Sequence, residues 1–567
     1  MFWSPYQQMD VKEANTAFRG LRFGSFGNLG WGAETQWDLY RLLGMIAPEG
    51  WSARLDADLF THGAALGVGY DYLRDTYSGY GRGYYVYDGK GEDDFGKDRK
   101  NIPAPTDRER LLMRHKHILA DDWEVGRILM RHKQILPEDW EVQLELSYLS
   151  DKNFLESFFR DEFEAGKDQE TLAYFKKQGG DNWALTGLLQ YRLNDFQTQT
   201  ESYPDLAFWV TGQPLGDSGL LYFNESQAGV KRYAVDNDSG LPSSSAFGRG
   251  HTRQEIDAPF RAGDVKFRPF AMVDATAWGD SPDGTNENRL IAQAGIQSSM
   301  DFWRTYNNVN SRLWDVNGLR HIITPVASAW VTGSSGADPA DLYAMDPGIE
   351  RDVTKAGGVA FGAFQRLQTK RGPAGNRSTV DWMRLDAIVG LFDNNAEKGL
   401  PQDGIFIFHR PEFSLPRDYF ALDYSWQVSD SVLFQAGSKI DLDSGQFSES
   451  YVGLAVDRDP RMRYFLGWRY IHEVNSSVVT AGVNYKISEK YSVSLFEQYD
   501  TLYDGGTNLA TSISLVRKFP RWYTAFTLQY DSRNSNVSLF LSLWPEGVPE
   551  VRFTSRHSNL LGHSAEN

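Results

Sequence analysis

The sequence predicts an all-β chain that closes into a large transmembrane antiparallel barrel of about 24–26 strands. Three observations predict it. First, the last part of the chain alternates residue by residue. Tyr464, Leu466, Trp468 and Tyr470 are interleaved with Arg463, Gly467 and Arg469. Val479, Ala481, Val483, Tyr485 and Ile487 are interleaved with Thr480, Gly482, Asn484 and Lys486. The pattern recurs in Trp522, Phe526, Leu528 and Tyr530, and again in Val537, Leu539, Leu541 and Leu543. Neighbouring strand residues face opposite ways, so each segment is apolar on one side and polar or small on the other. Second, the 567 residues show no composition break that would divide them into the several soluble domains their length suggests. Third, the mean hydropathy is −0.48 although 14% of residues are aromatic. A spanning barrel tolerates that, because only alternate strand residues meet lipid. No apolar run of about 18 residues is present, so a transmembrane helix is excluded.

The start, Met1-Phe2-Trp3-Ser4-Pro5, has neither a basic nor an apolar leader region. The expectation is therefore that the chain is a piece of a longer exported protein. Residues 1–30 read as irregular. Strand-like segments follow at 31–42, 51–59, 65–74 and 79–88, separated by turns rich in Gly and Asp. The acidic stretch 89–106 reads as a surface loop. Residues 114–125 recur, with changes, at 131–142, an offset of 17 residues. A local duplication is the plainer reading. A lumenal basic ladder of Arg114, Lys116, Arg131 and Lys133 facing an anionic partner is the functional one. In 150–163, Phe154, Leu155, Phe158, Phe159 and Phe163 recur at helical spacing after Ser150 and Asp151. That spacing predicts a short amphipathic helix on the barrel rim, capped by Ser150 or Asp151. Further strands are expected from 183 to 456, with long Gly, Ser, Asp and Pro loops at 235–250 and 333–354. The terminal alternating series then completes the wall.

Composition excludes several classes. The absence of cysteine rules out a disulfide scaffold and thiolate chemistry. A net charge of −17 argues against a nucleic-acid partner. His115, His117 and His132 stand at strand spacing, but no carboxylate is fixed beside them, so no metal is expected. Glu92, Asp93, Asp94 and Asp98 do not follow a calcium-loop spacing. No Gly-x-Ser-x-Gly elbow is present, and His472-Glu473 lacks the second histidine of a zinc-protease motif. No catalytic residue and no cofactor are expected. Because a barrel of about two dozen strands encloses a lumen wider than a solute pore needs, the size points to a bulky cargo or a plug.

Several stretches resemble one family, the LPS-assembly outer-membrane protein (LptD, organic solvent tolerance protein) family. They are 131–140 (Arg-His-Lys-Gln-Ile-Leu-Pro-Glu-Asp-Trp), 147–156 (Ser-Tyr-Leu-Ser-Asp-Lys-Asn-Phe-Leu-Glu), 190–201 and 319–325 (Leu-Arg-His-Ile-Ile-Thr-Pro). Taken in order, they extend the resemblance over about residues 20–550. The resemblance implies an outer-membrane translocon that places lipopolysaccharide in the outer leaflet. It implies a plug lipoprotein (LptE-like) and a periplasmic bridge protein (LptA-like) as partners, the latter docking on a jelly-roll domain. Residues 1–30 are too short to hold that domain and read as its remnant, 31–554 as the barrel and 555–567 as a tail. The cysteines that join the two domains in some members are absent.

The resemblance also implies lateral release between the first and last strands. With the first strand placed at 31–42 and the last at 536–544, the expected gate comprises Gln36, Asp38, Tyr40 and Leu42 against Val537, Leu539, Leu541, Leu543 and Pro545. Pro545 cannot donate to the ladder, so it either weakens the seam or merely ends the strand. The competing readings are a porin-like or structural barrel, an outer-membrane enzyme, and a soluble β-sandwich or propeller.

Overall fold

The computed structural model describes residues 16–546 apart from 75–76, 96–98, 118–139, 160–161, 164–165, 181, 347, 351–356, 374, 394–417, 459–460, 473, 503–504 and 532–535. Apart from a two-stranded hairpin of Glu92–Asp93 with Ile102–Pro103, its strands form one antiparallel sheet closed on itself. Two of the sheet's 28 segments, Phe260–Ala262 and Phe302–Ser311, prolong the strands before them, which leaves a ring of 26. Closure abolishes the sheet edges, and in lipid it satisfies the backbone groups that an open edge would expose.

The ring begins earlier than the sequence suggests. β1 (Phe18–Ser25) lies inside the stretch expected to be irregular, and β2 (Trp31–Asp38) is the second strand, paired on one side with β1 and on the other with β3 (Trp51–Phe60). The reason is visible in β1 itself. Gly20 and Gly24 occupy half of one face, and only Leu21 and Phe23 supply apolar alternation on the other. β2 also stops at Asp38, because the next residues turn into a helix, α1 (Leu39–Leu42), whose first turn Asp38 caps through the Arg41 backbone N–H. β4 (Gly63–Leu73) and β5 (Tyr77–Asp88) continue the meander.

The alternation seen in the sequence sorts the two faces of the wall. Leu59, Leu66, Val331, Phe361, Leu466 and Phe526 are all large, apolar and exposed on the outside. Exposed tyrosines (Tyr85, Tyr87, Tyr148 and Tyr191) stand at one end of this surface, with Trp183, Tyr306 and Tyr485 at the other. An apolar band between two aromatic belts is the surface of a transmembrane barrel. The inner face carries the charge: Arg22, Glu34, Arg54, Asp56, Arg108 and Arg249 all point inward.

The two rims differ. Both ends of the described chain lie at one rim, where the turns at 430–431, 489–490 and 520–521 are two residues long. The opposite rim carries the long connections at 89–106, 150–170, 235–246 and 337–357. Two of these fold back inside the barrel mouth.

Candidate functional site at the barrel seam

The ring closes where β1 meets the last strand, Asn536–Pro545, and this joint is short. It comprises four residue pairs: Leu21 with Leu543, Arg22 with Ser542, Phe23 with Leu541, and Gly24 with Phe540. On its other side the closing strand runs ten pairs with Trp522–Asp531, so its own length does not limit the seam. The chains come close because Gly24 has no side chain; a Cβ there would lie 2.0 Å from the Leu539 carbonyl oxygen. Leu21, Phe23, Leu541 and Leu543 face outward, whereas Arg22, Phe540 and Ser542 face the lumen. The inward Ser542 hydroxyl is buried and has no hydrogen-bond partner among the described residues.

Side chains cross the joint on the lumen side. The Arg22 guanidinium lies 4.7 Å from the Phe540 ring centroid and 5.0 Å from that of Phe26, and its Nε donates to Glu34 at 2.7 Å. Phe26 meets Phe540 edge-on at 5.2 Å. Nearer the terminal rim, Phe18 approaches Trp522 at 6.1 Å.

The residues singled out from sequence fall on both sides of this picture. Val537, Leu539, Leu541, Leu543 and Pro545 lie on the closing strand, and of these Leu541 and Leu543 pair directly with β1. Gln36 and Asp38 lie one strand away from the seam, with Gln36 opposite Gly20 and Asp56, and Asp38 paired with Arg19 at 2.8 Å. Tyr40 and Leu42 are in α1. The first strand of the ring is β1 and not 31–42, so residues 36–42 stand off the closing joint, whose β1 side is 21–24.

The proposed basic ladder is placed only in part. Arg114 faces Glu145 at 3.0 Å across adjacent strands. Lys116 lies in the same strand, Asp107–His117, opposite Ser78 and Gln143. Arg131 and Lys133 lie outside the described residues, as do His132 and most of the repeat. His115 points outward and hydrogen-bonds Tyr72 through Nδ1.

Two inward loops lie behind the wall. The first holds α2 (Phe154–Phe158), shorter than the helix the sequence predicts. Asn153 occupies its N-cap position and makes no side-chain cap bond. Asp151 instead accepts from the Asn153 backbone N–H and from Arg108, so it is a turn and ion-pair residue. Phe154 and Leu155 are buried with Leu29, Ala65, Val86 and Leu149, and Phe26 and Phe60 pack against the same cluster. The helix thus sits inside the rim, against the strands next to the seam. Beneath it the fully buried Arg108 binds Asp93 at 2.8 Å and Asp151 at 2.7 Å, with its guanidinium 4.7 Å from the Phe158 ring centroid. Glu162 takes hydrogen bonds from Arg110 and, at 2.9 Å, from Arg82. Burial alone pushes the Glu162 carboxyl up. The hydrogen bonds and charges of the two arginines outweigh it and hold the group below its ordinary value of 4.5.

The second inward loop, 337–350, buries Ala337, Leu342, Met345 and Ile349 against Phe247 and Trp278. It is locked by Glu350, which receives Arg249 at 2.7 Å and the Trp278 indole N–H at 3.0 Å. Arg289 donates to the Ile349 carbonyl, and Thr200 to that of Met345 at 2.9 Å.

Sequence reasoning passed over Arg22, Phe540, Arg108, Arg249 and Glu350. The available signal was an arginine at an inward position of a strand, where a lumen-facing charge needs a partner; the partner's identity is not local in sequence.

These features define a transmembrane barrel of 26 strands with a short closing seam and a lumen narrowed by its own loops. Residues 124–332 match the family model described as LPS transport system D, LptD. A search of curated proteins returns no match. Among solved structures, the FrpB iron transporter from Neisseria meningitidis is similar at 9% identity and a TM-score of 0.28, covering 89% of this chain and 82% of that one. BauA, the ferric preacinetobactin receptor from Acinetobacter baumannii, matches at 8% identity and a TM-score of 0.24, covering 93% and 79%. A mutant porin of Rh. blastica matches at 12% identity and a TM-score of 0.21, covering 57% and 99%. Likenesses of this size carry no functional argument.

Proposed function

We propose that this chain is the outer-membrane barrel of a lipopolysaccharide transport system, and that it releases lipid sideways through the seam between β1 and Asn536–Pro545. The observation that carries the reading is the four-pair closure of a wall whose two adjoining joints have seven and ten. Each backbone hydrogen bond contributes about 1 kcal/mol net in water and more in lipid, so a joint of four pairs is the least costly place to part the wall. The match over 124–332 to an LPS transport family supports the cargo class. The long-loop rim is then the extracellular one and the terminal rim the periplasmic one, as in other outer-membrane barrels. A plug lipoprotein would enter from the periplasmic rim, since the inward loops occupy the opposite mouth. A bridge protein would deliver lipid at that same rim.

The reading is tested by locking the seam. Phe23 and Leu541 are opposite each other and face outward. A disulfide between cysteines at these positions should stop the appearance of new lipopolysaccharide at the cell surface, and a reductant should restore it. Continued surface display with the lock formed would overturn lateral release. A porin-like barrel would instead leave lipid export untouched and show a large open conductance.

A further inference from the structure

The two faces of the seam do not hold it equally. On the outside, Leu21, Phe23, Leu541 and Leu543 meet lipid, and acyl chains replace such contacts at little cost because they are as apolar as leucine. On the inside, three groups from the β1 side surround one ring of the closing strand. Phe540 lies over Gly24, with its Cδ1 2.5 Å from where a Cβ would stand. Phe26 meets the ring edge-on at 5.2 Å, and the Arg22 guanidinium lies 4.7 Å from its centroid. Arg22 is in turn anchored to β2 through Glu34, so the cation is held by the wall and reaches across the joint. Phe26 is anchored as well, 5.0 Å from Phe60 and packed on the cluster of Phe154 and Leu155.

We propose that Arg22 and Phe540 form a side-chain latch that sets how often the seam opens, with Arg22 as a positioning residue rather than a lipid-contacting one. This inference rests on the seam being the release path. The β1 and closing strands can part only if Phe540 leaves its slot over Gly24. The cation–π contact and the two ring contacts oppose that step, where four backbone pairs alone would oppose it weakly.

The test reads the seam directly and needs no lipid cargo. Spin labels at Phe23→Cys and Leu541→Cys in the purified full chain, reconstituted in vesicles, report the distance across the joint. A second pair, Ala33→Cys and Leu59→Cys, reports a paired position between β2 and β3. Arg22→Met and Phe540→Leu should each raise the long-distance population at the seam about three- to tenfold, the range expected for a lost cation–π contact, and leave the control pair unchanged. Arg22→Lys, which keeps a cation over the ring, should restore most of the short distance. An unchanged seam in Phe540→Leu, a variant that keeps an apolar side chain of similar reach, overturns the latch even if Arg22→Met fails to fold. So does loosening of the control pair to the same extent. If the latch is found but lipid is still displayed through a disulfide-locked seam, the release path is refuted and the latch stands as a structural clasp.

Discussion

Arg249 and Glu350 are both fully buried and pair at 2.7 Å, with Asp346 a second, more distant carboxylate 3.9 Å from Arg249, and charges taken out of water are stable only while they are paired. Arg249→Met leaves the Glu350 charge buried without its arginine at a cost of about 3–5 kcal/mol, and Glu350→Gln costs less because Asp346 stays within reach of Arg249. The 337–350 loop should then be cut by added protease in intact vesicles, where the parent chain resists. The double variant Arg249→Met with Glu350→Leu should recover much of that resistance, since a packed apolar pair of similar size replaces a buried ion pair at little cost. Equal protection in the single variants would show that the loop is held by its apolar contacts alone. Glu162 makes a prediction of opposite pH sense to a buried neutral acid. Its carboxyl is held below 4.5 by Arg110 and Arg82 despite burial, so its contribution is complete above the unfolded value. It is lost as pH falls through the depressed value. Protease protection of the 150–163 loop should therefore stay level from neutral pH down to about 4.5 and fall below it. In Glu162→Gln it should be weaker at neutral pH and lack that acid step. None of these pairings was legible in the sequence: Arg249 and Glu350 are 101 positions apart, and an inward arginine announces a need for a partner without naming it.

At the scale of elements, the sequence was most informative where period-two alternation was long and least informative where glycine diluted it. The closing strand was expected at 536–544 and runs Asn536–Pro545. β1 escaped because Gly20 and Gly24 interrupt its pattern, yet Gly24 is what lets the Leu539 backbone approach. The same dilution put the first strand of the expected gate one strand too far along. The phenylalanine spacing in 150–163 located α2 but not its length or its place. Its face is satisfied by Leu29, Ala65 and Val86 inside the rim, contacts that no local pattern encodes. Phe154 joins this element to the seam, since Phe26 packs on the same cluster and on Phe540. Phe154→Ala removes a fully buried ring and should cost about 3–5 kcal/mol in loop docking. Labels at Phe23 and Leu541 should then show a wider seam although neither the variant nor the loop touches β1's pairing with the closing strand. A loosened loop with an unchanged seam would show that the two are independent.

At the scale of the whole molecule, strand number and loop placement pull in opposite directions. Diameter grows with strand number, and barrels of 16–18 strands already leave an aqueous channel, so a ring of 26 should conduct freely if its lumen were clear. The strand count was close to legible because every spanning strand must repeat the same alternation. The obstruction was not, because loops rich in Gly, Ser and Asp read as solvent-facing whether they extend outward or fold in. Here two of them fold in from the same rim, anchored by Arg108, Arg110, Arg249 and Arg289. The purified chain in planar bilayers should therefore pass far less current than its circumference suggests. Replacing 338–350 by a short Gly-Ser linker removes Leu342, Met345, Ile349 and the carboxylate of Glu350 from the mouth and leaves Arg249 and Arg289 facing open water. Single-channel conductance should then rise several-fold, with a shift toward anion preference from the two freed guanidinium groups. Unchanged conductance would mean that the remaining contents of the lumen, α2 and the loop around it, close the path without help. Conductance already large in the parent chain would mean that the inward loops do not seal it, and would favour a solute-passing barrel over one that moves lipid through its wall.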